Sequence, residues 1–213
     1  MGIDDRPPSI THLREFTRAR SKGRVTHVSR DRAQVEAPAD NKFFAFTYER
    51  FITAAIEYIN NGSRGGALHR AVLETNERMR PSYDAAAKGI TLLLSKAPVA
   101  TASRRQRNVV AHDNDLYDLV SLRLHLDLQM RDGNRVLALL HFSAPPLSDP
   151  ELALLETAVA LATRQVDPGA IPAIAMVRSG GLLLIDNSAT TADRVGFLRQ
   201  ESLAYRNEWR VAA

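Results

Sequence analysis

The side chains best placed to do chemistry sit close together in the sequence, between His125 and Ser143. Leu122, Leu124, Leu126, Leu128 and Met130 alternate with Arg123, His125, Asp127, Gln129 and Arg131, the period of a strand with one apolar face. Asp132-Gly133 is a hairpin-turn signal, and Val136 to Phe142 reads as the return strand. Register decides which residues meet, because a one-residue slip exchanges the two faces. A two-residue loop sets Asp127 opposite Ala138 and mixes the leucines with His141 and Ser143. A three-residue loop over Asp132, Gly133 and Asn134 sets Asp127 opposite Leu139 and His125 opposite His141. It also gives Leu124, Leu126 and Leu128 a wholly apolar face shared with Val136, Ala138, Leu140 and Phe142. That is the better solution, and it groups Asp127, His125, His141 and Ser143 on the other face.

Local signatures of other chemistries are absent. There is no cysteine, hence no disulfide, thiolate metal site or cysteine nucleophile. The six histidines, His12, His27, His69, His112, His125 and His141, show no local ligand spacing. No phosphate loop, dinucleotide fingerprint, zinc-protease motif, nucleophile elbow or kinase signature occurs.

The elements that must position this face follow from patterning. The chain has 213 residues, 45% of them apolar and 24% charged, ordinary for a folded domain and unlike a disordered or fibrous chain. No apolar run approaches the ~20 residues of a membrane span, and the first residues carry charge where a leader would be apolar. The reading is therefore a cytoplasmic protein with no membrane role. The formal charge of +4 permits a polyanionic partner without requiring one.

Residues 1–40 are rich in arginine and poor in apolar residues, and read as a basic arm or appendage. Within them Thr11 to Arg20 makes a short helix capped by Ser9 or Thr11, followed by loop from Gly23. Residues 41–213 read as one domain. Helices are expected from Lys42 to Ile59, Gly66 to Met79 (broken by Pro81) and Tyr83 to Ser95. A short strand over Arg107 to Ala111, the hairpin, a helix from Pro150 to Gln165 capped by Ser148 or Asp149, strands at Ile174–Val177 and Leu182–Ile185, and a helix over Thr191 to Trp209 complete it. The fold class is α/β, a small mixed sheet flanked by helices, with a helical N-terminal part.

The hairpin region resembles the PD-(D/E)XK nuclease superfamily, its RecB-type branch above all, whose fold is restriction-endonuclease-like. There a strand carries an aspartate, a hairpin follows, and the return strand carries acid-x-lysine. Asp127 stands at the aspartate position, with His141 and Ser143 at the acid and lysine positions. Gly66-Ala67-Leu68-His69 resembles that branch's glycine and histidine before the sheet. By element order the resemblance runs over residues 42 to 190. It implies a divalent magnesium or manganese ion held by carboxylates that activates water on a phosphodiester. Histidine at 141 is a poor magnesium ligand and a fair one for manganese, and serine at 143 replaces no ammonium.

The resemblance therefore implies a catalytically impaired, nuclease-like protein that binds DNA or RNA or serves in a nucleic-acid-processing complex, with no cofactor. Phosphate contacts would come from Arg104, Arg105 and Arg107 and from Arg18, Arg20, Lys22 and Arg24. One alternative is an active nuclease with Asp127 and His141 as altered metal ligands. Another is a protein-interaction module with no nucleic-acid role. The plain structural reading of these residues is an ion pair of Asp127 with Arg123 or Arg131, histidines covered by a helix, and a packed Trp209.

Overall fold

The return strand is buried on both of its faces, and the rest of the molecule is arranged around it. The computed structural model describes residues 6–19, 21–36 and 47–212. In chain order these form helices α1 (Ile10–Arg18), α2 (Ser21–Glu36), α3 (Glu49–Asn60), α4 (Ala67–Glu74) and α5 (Arg80–Lys96). Strands β1 (Val99–Arg104), β2 (Val109–His112), β3 (Asp118–Leu122), β4 (Leu126–Met130) and β5 (Arg135–His141) follow. Helix α6 (Asp149–Val166), strands β6 (Ile171–Met176) and β7 (Gly181–Leu184), and helix α7 (Ala192–Val211) complete the fold. It is an α/β fold with a mixed five-stranded sheet in the order β1-β4-β5-β6-β7 and a separate pair β2-β3. Strand β4 is antiparallel to both β1 and β5, β6 is parallel to β5 through the α6 crossover, and β7 is antiparallel to β6. No helix among the described residues is long and apolar enough to cross a membrane.

Two apolar layers sandwich the sheet. Leu126, Leu128, Met130, Val136, Ala138 and Leu140 face α3, α4 and α5. Leu137, Leu139 and Ile174 face α1, α6 and α7. A central strand with a parallel neighbour is normally covered on both sides, and β5 is buried from Val136 to His141. The hairpin loop holds three residues, Arg131, Asp132 and Gly133: Met130 N–H donates to Asn134 O (2.8 Å), with Gly133 at φ 88°. Glycine suits that left-handed position because it has no Cβ.

The expected face grouping holds for Leu126 and Leu128, but the register differs by two residues. Asp127 lies opposite Leu137, not Leu139. The single alternating strand from Leu122 to Met130 is also divided. Leu122 closes β3 against β2, the chain turns through residues 123–125, and β4 begins at Leu126. Leu124 is accordingly buried with Leu137 and Leu139, on the side away from Leu126.

The described part of the expected arm, residues 6–19 and 21–36, packs on the core. Ser9 caps α1 by accepting His12 N–H (3.2 Å), and Leu13 and Phe16 are fully buried in the α6–α7 layer. Where loop is expected, α2 is helical. It is held by Val28 in the core, by Arg24 on Glu201 (2.9 Å), and by Tyr205 O–H donating to the buried Asp31 (3.1 Å). Phe43, Phe44 and Phe46, the start of one expected helix and the 40/41 boundary lie outside the described residues. Pro81 starts α5 instead of ending α4, a position where its missing N–H costs no helical bond. Gly89 does not interrupt α5. It lets the helix lie on the end of β6, where a Cβ would collide with the Val177 carbonyl oxygen.

Two substitutions test this packing. Phe16→Ala is expected to cost about 3–5 kcal/mol, whereas a truncation on a solvated arm stays within about 0.5 kcal/mol; urea melts distinguish them. Gly89→Ala sets a methyl against backbone that cannot swing aside, and should lower Tm by about 10 °C or more. A melt within about 2 °C of the parent would contradict the close helix–sheet contact.

Candidate functional site

A cleft of about 560 Å³ opens where β5 and β6 end. In α/β sheets the carboxyl ends of parallel strands are where helices and loops part and ligands enter. The floor is Leu139 to Ser143. Past the end of β6, Val177 N–H donates to His141 O (3.0 Å) and carries Arg178 to the cleft. One wall is α1, through Arg14 and Glu15; the start of α3 adds Tyr48 and Glu49, and the β3–β4 link adds Arg123 and His125. Tyr48 stacks on Phe142 with ring centroids 3.9 Å apart, closing that side with an aromatic layer.

Both histidines here are held neutral. Burial lowers the pKa of His125 to about 4, with Arg123 and Arg104 acting in the same direction. Burial likewise lowers His141 to about 4, aided by Arg14 and opposed by Glu151. His125 Nδ1 accepts Leu140 N–H (3.1 Å), which leaves its proton on Nε2. His141 Nδ1 lies 3.5 Å from Arg14 Nη1. Guanidinium only donates, so Nδ1 is the acceptor and His141 is also the Nε2–H tautomer.

The charges along the cleft are mostly paired. Arg14 meets Glu15 (3.0 Å) and lies 3.9 Å from the buried Glu151. Glu151 also accepts Ser148 N–H (2.9 Å) and O–H (2.7 Å), closing the first turn of α6. Glu49 pairs with Arg123 (2.8 Å) and Arg104. Arg178 donates to Ser82 Oγ (2.8 Å) and meets no carboxylate among the described residues.

Of the residues expected to form a site, His125, His141 and Ser143 are brought together in this cleft, and Asp127 is not. Asp127 shares the face of His141, yet its partner Leu137 is four residues away along β5, about 13 Å at strand rise. Both Asp127 oxygens accept from Arg135, which also reaches Asp167 (2.5 Å), and Arg105 lies 3.8 Å away. The ion pair is with these two arginines and not with Arg123 or Arg131. A divalent ion does not fit Asp127 and His141 as joint ligands, and no group of three metal-binding side chains converges among the described residues.

The other expected residues are dispersed. His69 is exposed on α4, in a shallow groove against α5 remote from the cleft. Arg104 is tied to Glu49, while Arg107 is exposed just beyond β1. Arg18 is exposed at the end of α1. Arg24 is a structural residue, bonded to Glu201 and lying over the Phe16 ring at 4.4 Å. Arg20 and the side chain of Lys22 lie outside the described residues. Trp209 is packed in the core.

Arg14, Glu49 and Arg178 are cleft residues that motif reading overlooks. Arg14 left a signal: it follows Ile10 by four positions, which puts a charge on the apolar stripe of Ile10, Leu13 and Phe16. Arg178 left none, because its place depends on the β5–β6 pairing. Comparison of the chain with protein-family models, with curated proteins and with solved structures yields no match.

Neutral buried histidines make stability depend on pH. An imidazole titrates near 6.5 in the unfolded chain and near 4 in this cleft. The unfolded state binds more protons between those limits, so stability is complete above about pH 6.5 and declines as pH falls toward 4. His141→Asn keeps an acceptor for Arg14 and removes the titration. Urea melts between about pH 7 and about pH 4.5 should show a shallower loss for that variant than for the parent. Identical slopes would mean that His141 is not held neutral by folding.

Proposed function

We propose that this chain is a nucleic-acid-binding protein on a restriction-endonuclease-like scaffold without metal catalysis, acting alone or as a subunit of a nucleic-acid-processing complex. The observation that carries the reading is the convergence of Arg14, Arg123 and Arg178 on one cleft at the carboxyl ends of β5 and β6. Arg104, tied to Glu49 at the cleft, extends this basic surface to Arg105 and the exposed Arg107.

The scaffold assignment draws on element order. Helix, strand, hairpin, crossover helix and parallel strand follow one another as α5, β1, β4–β5, α6 and β6, with β2–β3 inserted after β1. The hairpin β4–β5, the helix after it and the next apolar strand are the parts the resemblance implies, and fold alone assigns no activity. The locked Asp127 supports a binding role over a metal-dependent one. A carboxylate already holding a bidentate arginine must lose that partner before it can ligate a metal.

Gel retention of labelled single- and double-stranded DNA and RNA, with magnesium or manganese present, tests both parts. Retention without cutting is expected, with affinity falling steeply as salt rises. Arg107→Ala should weaken binding to all sequences alike and reduce the logarithmic salt slope by about 1. Asp127→Ala should leave retention unchanged. Metal-dependent cutting abolished by Asp127→Ala would restore a nuclease, and absence of retention would sink the nucleic-acid reading.

A further inference from the structure

Three enclosed nitrogens among the residues of the cleft lack a hydrogen-bond partner: Arg14 Nε, His141 Nε2 and Arg178 Nε. They are three of eight such side-chain atoms among the described residues, and all three residues line the cleft. Arg14 Nη1 lies 3.5 Å from His141 Nδ1, and Val177 N–H on the His141 carbonyl places Arg178 alongside. Arg14 and His141 are more than nine-tenths buried. All three atoms are donors. Guanidinium has no acceptor, and His141 carries its proton on Nε2 because Nδ1 faces Arg14. Buried donors left unmet are costly, and the carboxylate facing Arg14 Nε, Glu151 Oε1, stands 3.9 Å away, beyond hydrogen-bond reach; an acceptor-only group in the cleft would complete the set.

The charge pattern narrows that group. Four guanidiniums, Arg14, Arg104, Arg123 and Arg178, face three carboxylates: Glu15 and the buried Glu151 beside Arg14, and Glu49 between Arg123 and Arg104. Arg178 has only the Ser82 hydroxyl. One uncompensated cation beside three donors suits a single oxyanion, with charge-assisted hydrogen bonds. Glu15 and Glu49 line the same cleft. They would repel a second phosphate inside the cleft, leaving a strand's further phosphates to the surface around the exposed Arg107, and accept from hydroxyls and amino groups. The complementary ligand has one anionic end and a donor-bearing remainder. A cleft of about 560 Å³ is within the usual size of small-ligand sites, about 300–1,000 Å³.

We propose that the cleft seats a phosphomonoester: the terminal phosphate of a nucleotide, bound by Arg178, Arg14 and His141, with its sugar or base toward Glu15 and Glu49. This rests on the nucleic-acid reading for the rest of the ligand, not for the phosphate seat. The phosphate belongs either to a strand end or to a free nucleotide.

Fluorescence anisotropy compares oligonucleotides bearing a terminal phosphate at either end with hydroxyl-ended twins. Calorimetry with nucleoside monophosphates, nucleosides and inorganic phosphate supplies the other arm. Phosphate-ended strands should bind about tenfold more tightly than their twins, with inorganic phosphate competing. Arg178→Gln should bring that ratio to about one while the thermal melt shows a folded chain. His141→Asn should reduce it several-fold, a milder change if Arg178→Gln misfolds. Binding of monophosphates without strands keeps the seat and overturns the polymer reading. Equal binding of phosphate-ended and hydroxyl-ended strands overturns the seat and leaves nucleic-acid binding standing. Binding of neither strands nor monophosphates overturns both.

Discussion

Everything in this molecule depends on β5 being shared. It pairs antiparallel with β4 on one edge and parallel with β6 on the other, and apolar layers cover both its faces. A strand so enclosed cannot slide, because either direction would move leucines off their layers. Its carboxyl end is therefore a fixed point in the fold. There the hairpin edge, the crossover helix and α1 separate, and the cleft is the gap they leave.

Polar groups at that point are organised by neighbours that also have structural duties. Glu151 completes the first turn of α6 and faces Arg14. His125 satisfies the Leu140 N–H that a regular β4–β5 ladder would otherwise have to meet. Glu49 joins the β3–β4 link to the end of β1 through Arg123 and Arg104. The cleft is thus nearly balanced in charge, with its cations fixed in place by acids. Arg178 is the exception, and its backbone follows directly from the pairing of β6 with β5.

Much of this architecture was legible in the sequence. Local rules sufficed where local chemistry decides: Ser9 and Ser148 at helix starts, Gly133 in the hairpin loop, the apolar face of Leu126 and Leu128. The failures occur where tertiary contacts override local preference. Gly23 and a polar run suggest loop, but Val28, Asp31 and Arg24 each find a partner elsewhere, and α2 is helical. Strand β1 is weakly apolar and escapes pattern reading, although its pairing with β4 is regular over most of its length. The alternation from Leu122 to Met130 is continuous in sequence and broken in space, since a chain can keep its period while changing sheets. For the site, the shared face of Asp127 and His141 was readable from hydrophobic pattern. Their separation was not, because parity sets the face and the position of the loop sets the offset. The loop has the expected three residues but lies one position earlier, over Arg131, Asp132 and Gly133, which places Asp127 two positions short of the expected partner.

Helix α1 has nine residues and serves two ends at once. Leu13 and Phe16 plug the larger apolar layer, and on the adjoining side Arg14 walls the cleft. Fraying of this one short segment uncovers core and dismantles the cleft in the same event. Occupancy and folding are then a single linked equilibrium: whatever engages Arg14 protects amides well beyond the cleft, in proportion to its concentration over its dissociation constant.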